Sequence, residues 1–204
     1  MSARLAAVVA IVCFSVCANA QTYTLGVHRD AHRPIDSAIT QVAQEELQRL
    51  LGPAGIHVAW DDTNQYNRLV VASFDGDCSV AELPTIAFAP RSSRLADTAI
   101  GSEGQVRPFF HVDCSRLIFT LRPLLDRLNV PSRKVLFGRA MARVMAHEIY
   151  HVLAAATDHA GSGIAKPSLS FEDLVSDRFA FDGSSLDRIH DQTNAQRIAV
   201  DLAN

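Results

Sequence analysis

The chain has 204 residues, with 22 acidic against 19 basic side chains, a net charge of −3 and 48% hydrophobic residues. That balance excludes a highly charged disordered chain, and its slight acidity argues against nucleic acid as a partner. The length suits one domain with a real core.

Residues Met1 to Ala20 read as a secretory signal. Arg4 supplies a positive start, Leu5 to Val16 is an uncharged apolar run, and Ala18-Asn19-Ala20 is a small-x-small cleavage site before Gln21. The run is too short to span a bilayer. Cys17 raises a lipoprotein alternative, but Phe14-Ser15-Val16 lacks the small residues such signals carry. Cleavage after Ala20 predicts a secreted or periplasmic protein without stable membrane insertion, folded as a single domain over residues 21–204. Losing Arg4 leaves 18 basic and 22 acidic residues, a net charge of about −4. Cys13 and Cys17 leave with the signal. Cys78 and Cys114 remain, and in an oxidising compartment such a pair, without metal-ligand spacing, reads as a disulfide.

The first elements alternate in type. Tyr23 to His28 is a predicted strand. Pro34-Ile35-Asp36 opens a helix with Ile35, Ile39, Val42, Ala43, Leu47, Leu50 and Leu51 near helical spacing, and Gly52-Pro53 ends it. Ile56 to Trp60 and Arg68 to Phe74 are strands, with a turn at Asp61-Asp62-Thr63-Asn64 between them. This β-α-β-β order suits a sheet with a helix packed on one face. The middle is loop-rich: Thr85 to Phe88 is a short strand, Gly101-Ser102-Glu103-Gly104 a loop, and Gln105 to Asp113 a strand interrupted by Pro108, which belongs at an edge or a bulge.

Ser115 to Leu128 is a predicted helix broken or kinked by Pro123. Ser132 can cap the next helix, from about Arg133 to Ala156, where Arg133, Lys134, Arg139 and Arg143 are expected to solvate the surface. Phe171 to Phe179 is a short helix, Asp182-Gly183-Ser184-Ser185 a turn, and Leu186 to about Ala203 a last helix.

Within the long helix stands His147-Glu148-Ile149-Tyr150-His151. Histidines four apart share one helical face, so two imidazoles can converge on one cation. Glu148 follows the first of them and can take a proton from a water held there. Val144 and Ala140 share the histidine face, whereas Tyr150 lies on another with Arg143, and Met145, Ile149, Val152 and Ala156 suit core contacts. The flanks favour this helix: no Gly or Pro occurs from Arg139 to His159.

His147-Glu148-x-x-His151 is the H-E-x-x-H signature of zinc metalloproteases, and the chain resembles the zincin superfamily. The resemblance implies an α+β fold with a small twisted mixed sheet packed on helices around a central metal-binding helix. It implies a Zn2+ cofactor, a peptide or protein substrate, and an edge strand above the metal that pairs with extended substrate. Gln105 to Asp113, or Thr85 to Ala89, is the expected rim. Metzincins carry H-E-x-x-H-x-x-G-x-x-H and a later methionine turn. Here Ala154 replaces that glycine, Thr157 stands at the third histidine, and Ala165 of Gly163-Ile164-Ala165-Lys166 is a candidate for the turn. The chain looks closer to exported bacterial proteins with H-E-x-x-H-x7-H, which makes His159 the third ligand.

Asp158 and Glu172 stay open as competitors for that third position. Glu172 also reads, after Ser170, as part of a helix N-terminus. His28, His32, His57, His111 and His190 have no ligand spacing and are expected in the core or on the surface, with His111 of interest for its place on the expected rim. The expected function is that of an exported zinc metallopeptidase with Glu148 as general base and His147, His151 and His159 as ligands. The alternatives are a zinc-binding or envelope-interaction protein without turnover, and a zinc-free structural domain.

Overall fold

The computed structural model describes residues 22–31, 33–60, 65–83 and 94–203. The expected signal, His32, the turn at 61–64 and the strand at 85–88 lie outside them. The chain runs β1 (Tyr23–Ala31), α1 (Ser37–Leu51), a 3-10 turn (Gly52–Ala54), β2 (Ile56–Trp60), β3 (Arg68–Asp75), β4 (Ala96–Ile100), β5 (Val106–Asp113), α2 (Cys114–Leu125), α3 (Val130–Leu153), α4 (Phe171–Val175) and α5 (Gly183–Ala203). It is an α+β fold around one five-stranded mixed sheet in the order β2-β1-β3-β5-β4, in which only β4 runs antiparallel to its neighbour.

Alternation along the strands fixes which face holds the core. Leu25, Val27, Val70, Ala72, Phe74, Phe110 and Val112 are buried beneath the helices. Leu69, Val71 and Ser73 point the other way and are half-buried, while Phe109 among them is 51% exposed. On the helical side α1 presents Ile39, Ala43, Leu47, Leu50 and Leu51, all buried. It lies close against α3 at Gly138, where a Cβ would stand 2.7 Å from the Ile39 carbonyl. A side chain at Gly138 would push the metal-motif helix off α1.

Several expected boundaries move, each for a local reason. Asn129, not Ser132, caps α3 by accepting from the Ser132 N–H at 3.0 Å, so the helix starts at Val130 and carries Pro131 in its first turn, where no N–H is missed. Helix α2 continues past Pro123 only to Leu125 rather than Leu128. Helix α4 stops at Val175 rather than Phe179. The expected turn at residues 182–185 is the start of α5, because Asp182 accepts from the Ser185 N–H at 2.8 Å and so caps it. The rim expectation is corrected too: the strand around Pro108 sits between β3 and β4, so it is not an edge. Pro108 falls at the register shift between the Thr98–Phe110 and Ile100–Val106 pairs, the bulge position that a residue without an N–H requires. The expected disulfide is present between Cys78 and Cys114. It ties the loop after β3 to the start of α2, and a bridge across 36 residues of sequence stabilises by about 3–4 kcal/mol in the chain-entropy account. Among the described residues, no helix is long and apolar enough to cross a membrane.

Arg143 does not solvate its helix. It is fully buried and donates through Nε to Glu46 Oε1 of α1 at 2.9 Å. Its Nη1 donates to the Asp173 and Leu174 carbonyls at 2.8 and 2.9 Å. Burial would raise the Glu46 pKa, but hydrogen bonds from Arg49 and Arg143 outweigh it and hold the carboxylate ionised. One side chain thus joins α1, α3 and α4 one turn before His147. Arg143→Ala would strand two carbonyls and leave a void, while Arg49 would still neutralise Glu46. Breaking a buried pair costs about 3–5 kcal/mol, and we expect the low end here. Urea unfolding of the variant and the parent measures the difference, and a loss within 0.5 kcal/mol, about the spread of neutral surface changes, contradicts the role given to Arg143.

Candidate metal centre

The second half of α3 is buried on all sides: from Leu136 to Leu153 only Arg139 keeps partial exposure. Polar side chains inside such a helix must find partners. Both motif histidines do so with the backbone. His147 Nδ1 lies 2.8 Å from the Ile164 carbonyl, and His151 Nδ1 lies 2.7 Å from the Ala156 carbonyl. A carbonyl oxygen only accepts, so each Nδ1 carries the proton and each Nε2 keeps a lone pair.

The two Nε2 atoms face each other at 3.3 Å. With no proton to share, two lone pairs at that distance repel. A cation between them turns repulsion into coordination. Two nitrogens on a tetrahedral Zn2+, each about 2.0–2.1 Å from the metal, stand roughly 3.3–3.4 Å apart. The third imidazole is His159, whose ring centroid lies 5.3 Å from that of His147 and 4.8 Å from that of His151. One ligand atom from each of the three comes within 4.8 Å of the others, and the donor set suits zinc.

The backbone after α3 makes this possible. Ala155 takes φ 48°, a left-handed residue at the position where helices usually end on glycine. Ala156 N–H then returns to the His151 carbonyl at 3.1 Å, while the Ala156 carbonyl receives the His151 ring. Gly163, at φ 67°, starts the turn that presents the Ile164 carbonyl to His147; a Cβ there would stand 2.7 Å from the Ala180 carbonyl. Ile164 and Ala165, in the turn proposed as the counterpart of the methionine turn, are fully buried.

Neither competitor for the third position joins the cluster. Asp158 is exposed and forks onto Arg188 at 2.8 and 3.0 Å, which holds its carboxyl below the usual range. Glu172 is exposed in the first turn of α4. Tyr150 is buried on the far side of the helix, packed on Phe181 with its hydroxyl 3.4 Å from Arg188 Nη1. His111 is also elsewhere, 2.8 Å from Asp75 and 3.5 Å from Asp97 on the outer face of the sheet.

Glu148 is 95% buried, and that burial raises its pKa. Thr98 of β4 donates to its Oε2 at 2.6 Å, which opposes the shift. The three histidines, Glu148 and Thr98 open onto a cleft of about 500 Å³, walled by Arg94 to Thr98 on one side and by Val144, Thr157 and Pro167 to Leu169 on the other. The Asp113 N–H donates to the Leu95 carbonyl across the Ala96–Val112 pair. The peptide groups of Ala96 and Thr98 are therefore directed away from β5, off the free edge of the sheet among the described residues. Residues 94–100 pair Leu95 with Ala96 and Ala99 with Ile100 around Asp97 and Thr98, so no strict apolar-polar alternation marks them as a strand in the sequence.

No family model matches the chain, and no curated protein matches it. Solved structures similar to it include an archaemetzincin from Methanopyrus kandleri, 13% identical over 88% of this chain and 99% of that one, with a TM-score of 0.47. A zinc-dependent peptidase from Methanocorpusculum labreanum is 12% identical over 81% of this chain and 99% of its own, also with a TM-score of 0.47. Two histidines on an H-E-x-x-H helix, a third six residues beyond its end and a mixed five-stranded sheet are consistent with the zincin-like zinc peptidases that the sequence resembles.

Burial lowers the pKa of His147 and His151 below the ordinary histidine value of about 6.5, with the carbonyl contacts opposing it only in part. A histidine whose folded pKa is depressed binds fewer protons than its unfolded counterpart just below pH 6.5, so stability falls as pH drops through that value. Glu148 works in the opposite sense, since its raised pKa makes stability fall as pH rises above 4.5. Metal-free Glu148→Gln removes that opposing term. Its melting temperature should fall between pH 7 and pH 5.5, and a flat or rising profile by calorimetry contradicts the buried, neutral histidine pair.

Proposed function

We propose that the chain is an exported zinc metallopeptidase in which His147, His151 and His159 hold the metal and Glu148 is the general base. The observation that carries this reading is the pair of Nε2 lone pairs held 3.3 Å apart, with a buried carboxylate on the next residue. A bound Zn2+ would supply Lewis acidity, lowering the pKa of water toward about 7 and polarising a carbonyl.

The chain's own groups do the rest. Glu148 takes a proton from the attacking water and delivers it to the departing amine nitrogen. Its burial suits both halves of that task, because a carboxyl with a raised pKa holds a proton long enough to return it. The free edge of β4 offers the peptide groups of Ala96 and Thr98 to an extended substrate, which would lie across the metal as an added strand. The open, half-walled cleft suits a polymer passing through rather than a small molecule enclosed. Export is supported by the N-terminal signal pattern and by the Cys78–Cys114 bridge, which persists in oxidising compartments.

Glu148→Ala is expected to keep bound zinc, since all three imidazoles remain, and to lose peptide hydrolysis by at least about 100-fold, as removal of a general base does. Zinc by elemental analysis and cleavage of fluorescein-labelled casein report the two properties separately. A variant that cleaves as fast as the parent refutes the mechanism. A zinc-replete parent without cleavage favours a zinc-binding protein without turnover.

A further inference from the structure

The Thr98 hydroxyl makes the described side-chain hydrogen bond to Glu148, and it comes from a different element, 50 residues away in sequence. It lies 2.6 Å from Oε2 and 3.3 Å from the Glu148 backbone carbonyl. A hydroxyl has one proton, so the short contact takes it and the longer one is secondary. The carboxylate is thereby fixed through Oε2 on a residue that lines the cleft.

We infer that Thr98 is a positioning residue for Glu148, an inference that rests on the peptidase reading. A glutamate side chain has three torsions, and burial alone does not choose among them. The hydrogen bond does: it pins Oε2 to the sheet at the cleft that Glu148 lines together with His147 and His151. Thr98 is also the residue whose peptide groups are directed off the free edge of β4. An extended substrate pairing there would grip the backbone of the same residue that orients the base. Substrate registration and base orientation then share one rigid element, and a substrate that shifts β4 shifts both together.

The test compares Thr98→Val, which keeps the β-branched shape and removes the hydroxyl, with Thr98→Ser, which keeps the hydroxyl. Both are measured beside the parent and Glu148→Ala with fluorescein-labelled casein. Thr98→Val should lower kcat by roughly 10- to 100-fold, the scale of a lost hydrogen bond to a charged group, with KM within about twofold. Zinc content should stay at the parental value, the melting temperature should fall by no more than about 10 °C, and Thr98→Ser should recover most of the rate. A crystal structure of zinc-loaded Thr98→Val should show the Glu148 carboxylate turned from its parental orientation. Parental kcat in Thr98→Val overturns the inference and leaves the peptidase reading standing, as does an unmoved carboxylate. A parent that cleaves nothing while replete with zinc overturns the peptidase reading, and this inference with it. Should Thr98→Val fail to fold, Thr98→Ala serves in its place under the same criteria.

Discussion

Two ring N–H groups donating to two backbone carbonyls set the chemistry of this protein. His147 to Ile164 and His151 to Ala156 are ordinary hydrogen bonds, yet each fixes a tautomer and a ring plane. Their joint effect is to leave two unprotonated nitrogens pointing at one another. Neither ring can turn away without stranding an N–H in the core, which costs about 1–3 kcal/mol. The repulsion between the lone pairs is therefore held in place by a larger penalty for relieving it. Left-handed Ala155 and Gly163 aim the two carbonyls, so backbone conformation outside α3 decides what the rings of α3 can bind.

The same accounting explains the helix around them. From Leu136 onward α3 is enclosed on nearly every side, and its polar side chains all find specific partners. Arg143 answers to Glu46 and the end of α4, the histidines to two turns, and Glu148 to the sheet edge. Each partner comes from a different element. The helix is thus clamped in rotation as well as in position, and close contact with α1 at Gly138 limits its translation. The proposed metal site would tolerate little error in donor placement, and this ring of contacts supplies the rigidity.

What could be read from sequence followed the range of the interactions. Residues four apart on a helix meet because the helix makes them meet, so His147 and His151 needed no tertiary information. The core stripes of α1 and the strands showed through their periodicity, and Cys78 and Cys114 through their number. His159 lies eight residues past His151, across an irregular turn, and the sequence favours it while leaving Asp158 beside it open as a competitor. Only Arg188, on the last helix, shows why that carboxylate is engaged elsewhere. Arg143 looked like a solvating residue because Glu46 lies 97 positions upstream. Of the two rim candidates, Gln105 to Asp113 is an inner strand that reads as a strand unaided, whereas β4 at the sheet edge owes its form to pairing with it.

Glu148 shows why these parts must act together. Burial raises its pKa and would favour the neutral acid, while the Thr98 hydroxyl favours the ionised form. In the proposed mechanism, a base buried alone would stay protonated and could not take a proton from water. A base fully exposed would hold its proton too weakly to return it to an amine. At Glu148 the β4 hydroxyl opposes the burial that raises its pKa. Moving the sheet edge by one residue would put Asp97 or Ala99 over the carboxylate, since neighbouring strand residues face opposite ways. An acid or a methyl would stand where the donor is needed. The register of β4 on β5, held around the Pro108 bulge, is therefore as much a part of the site as the histidines.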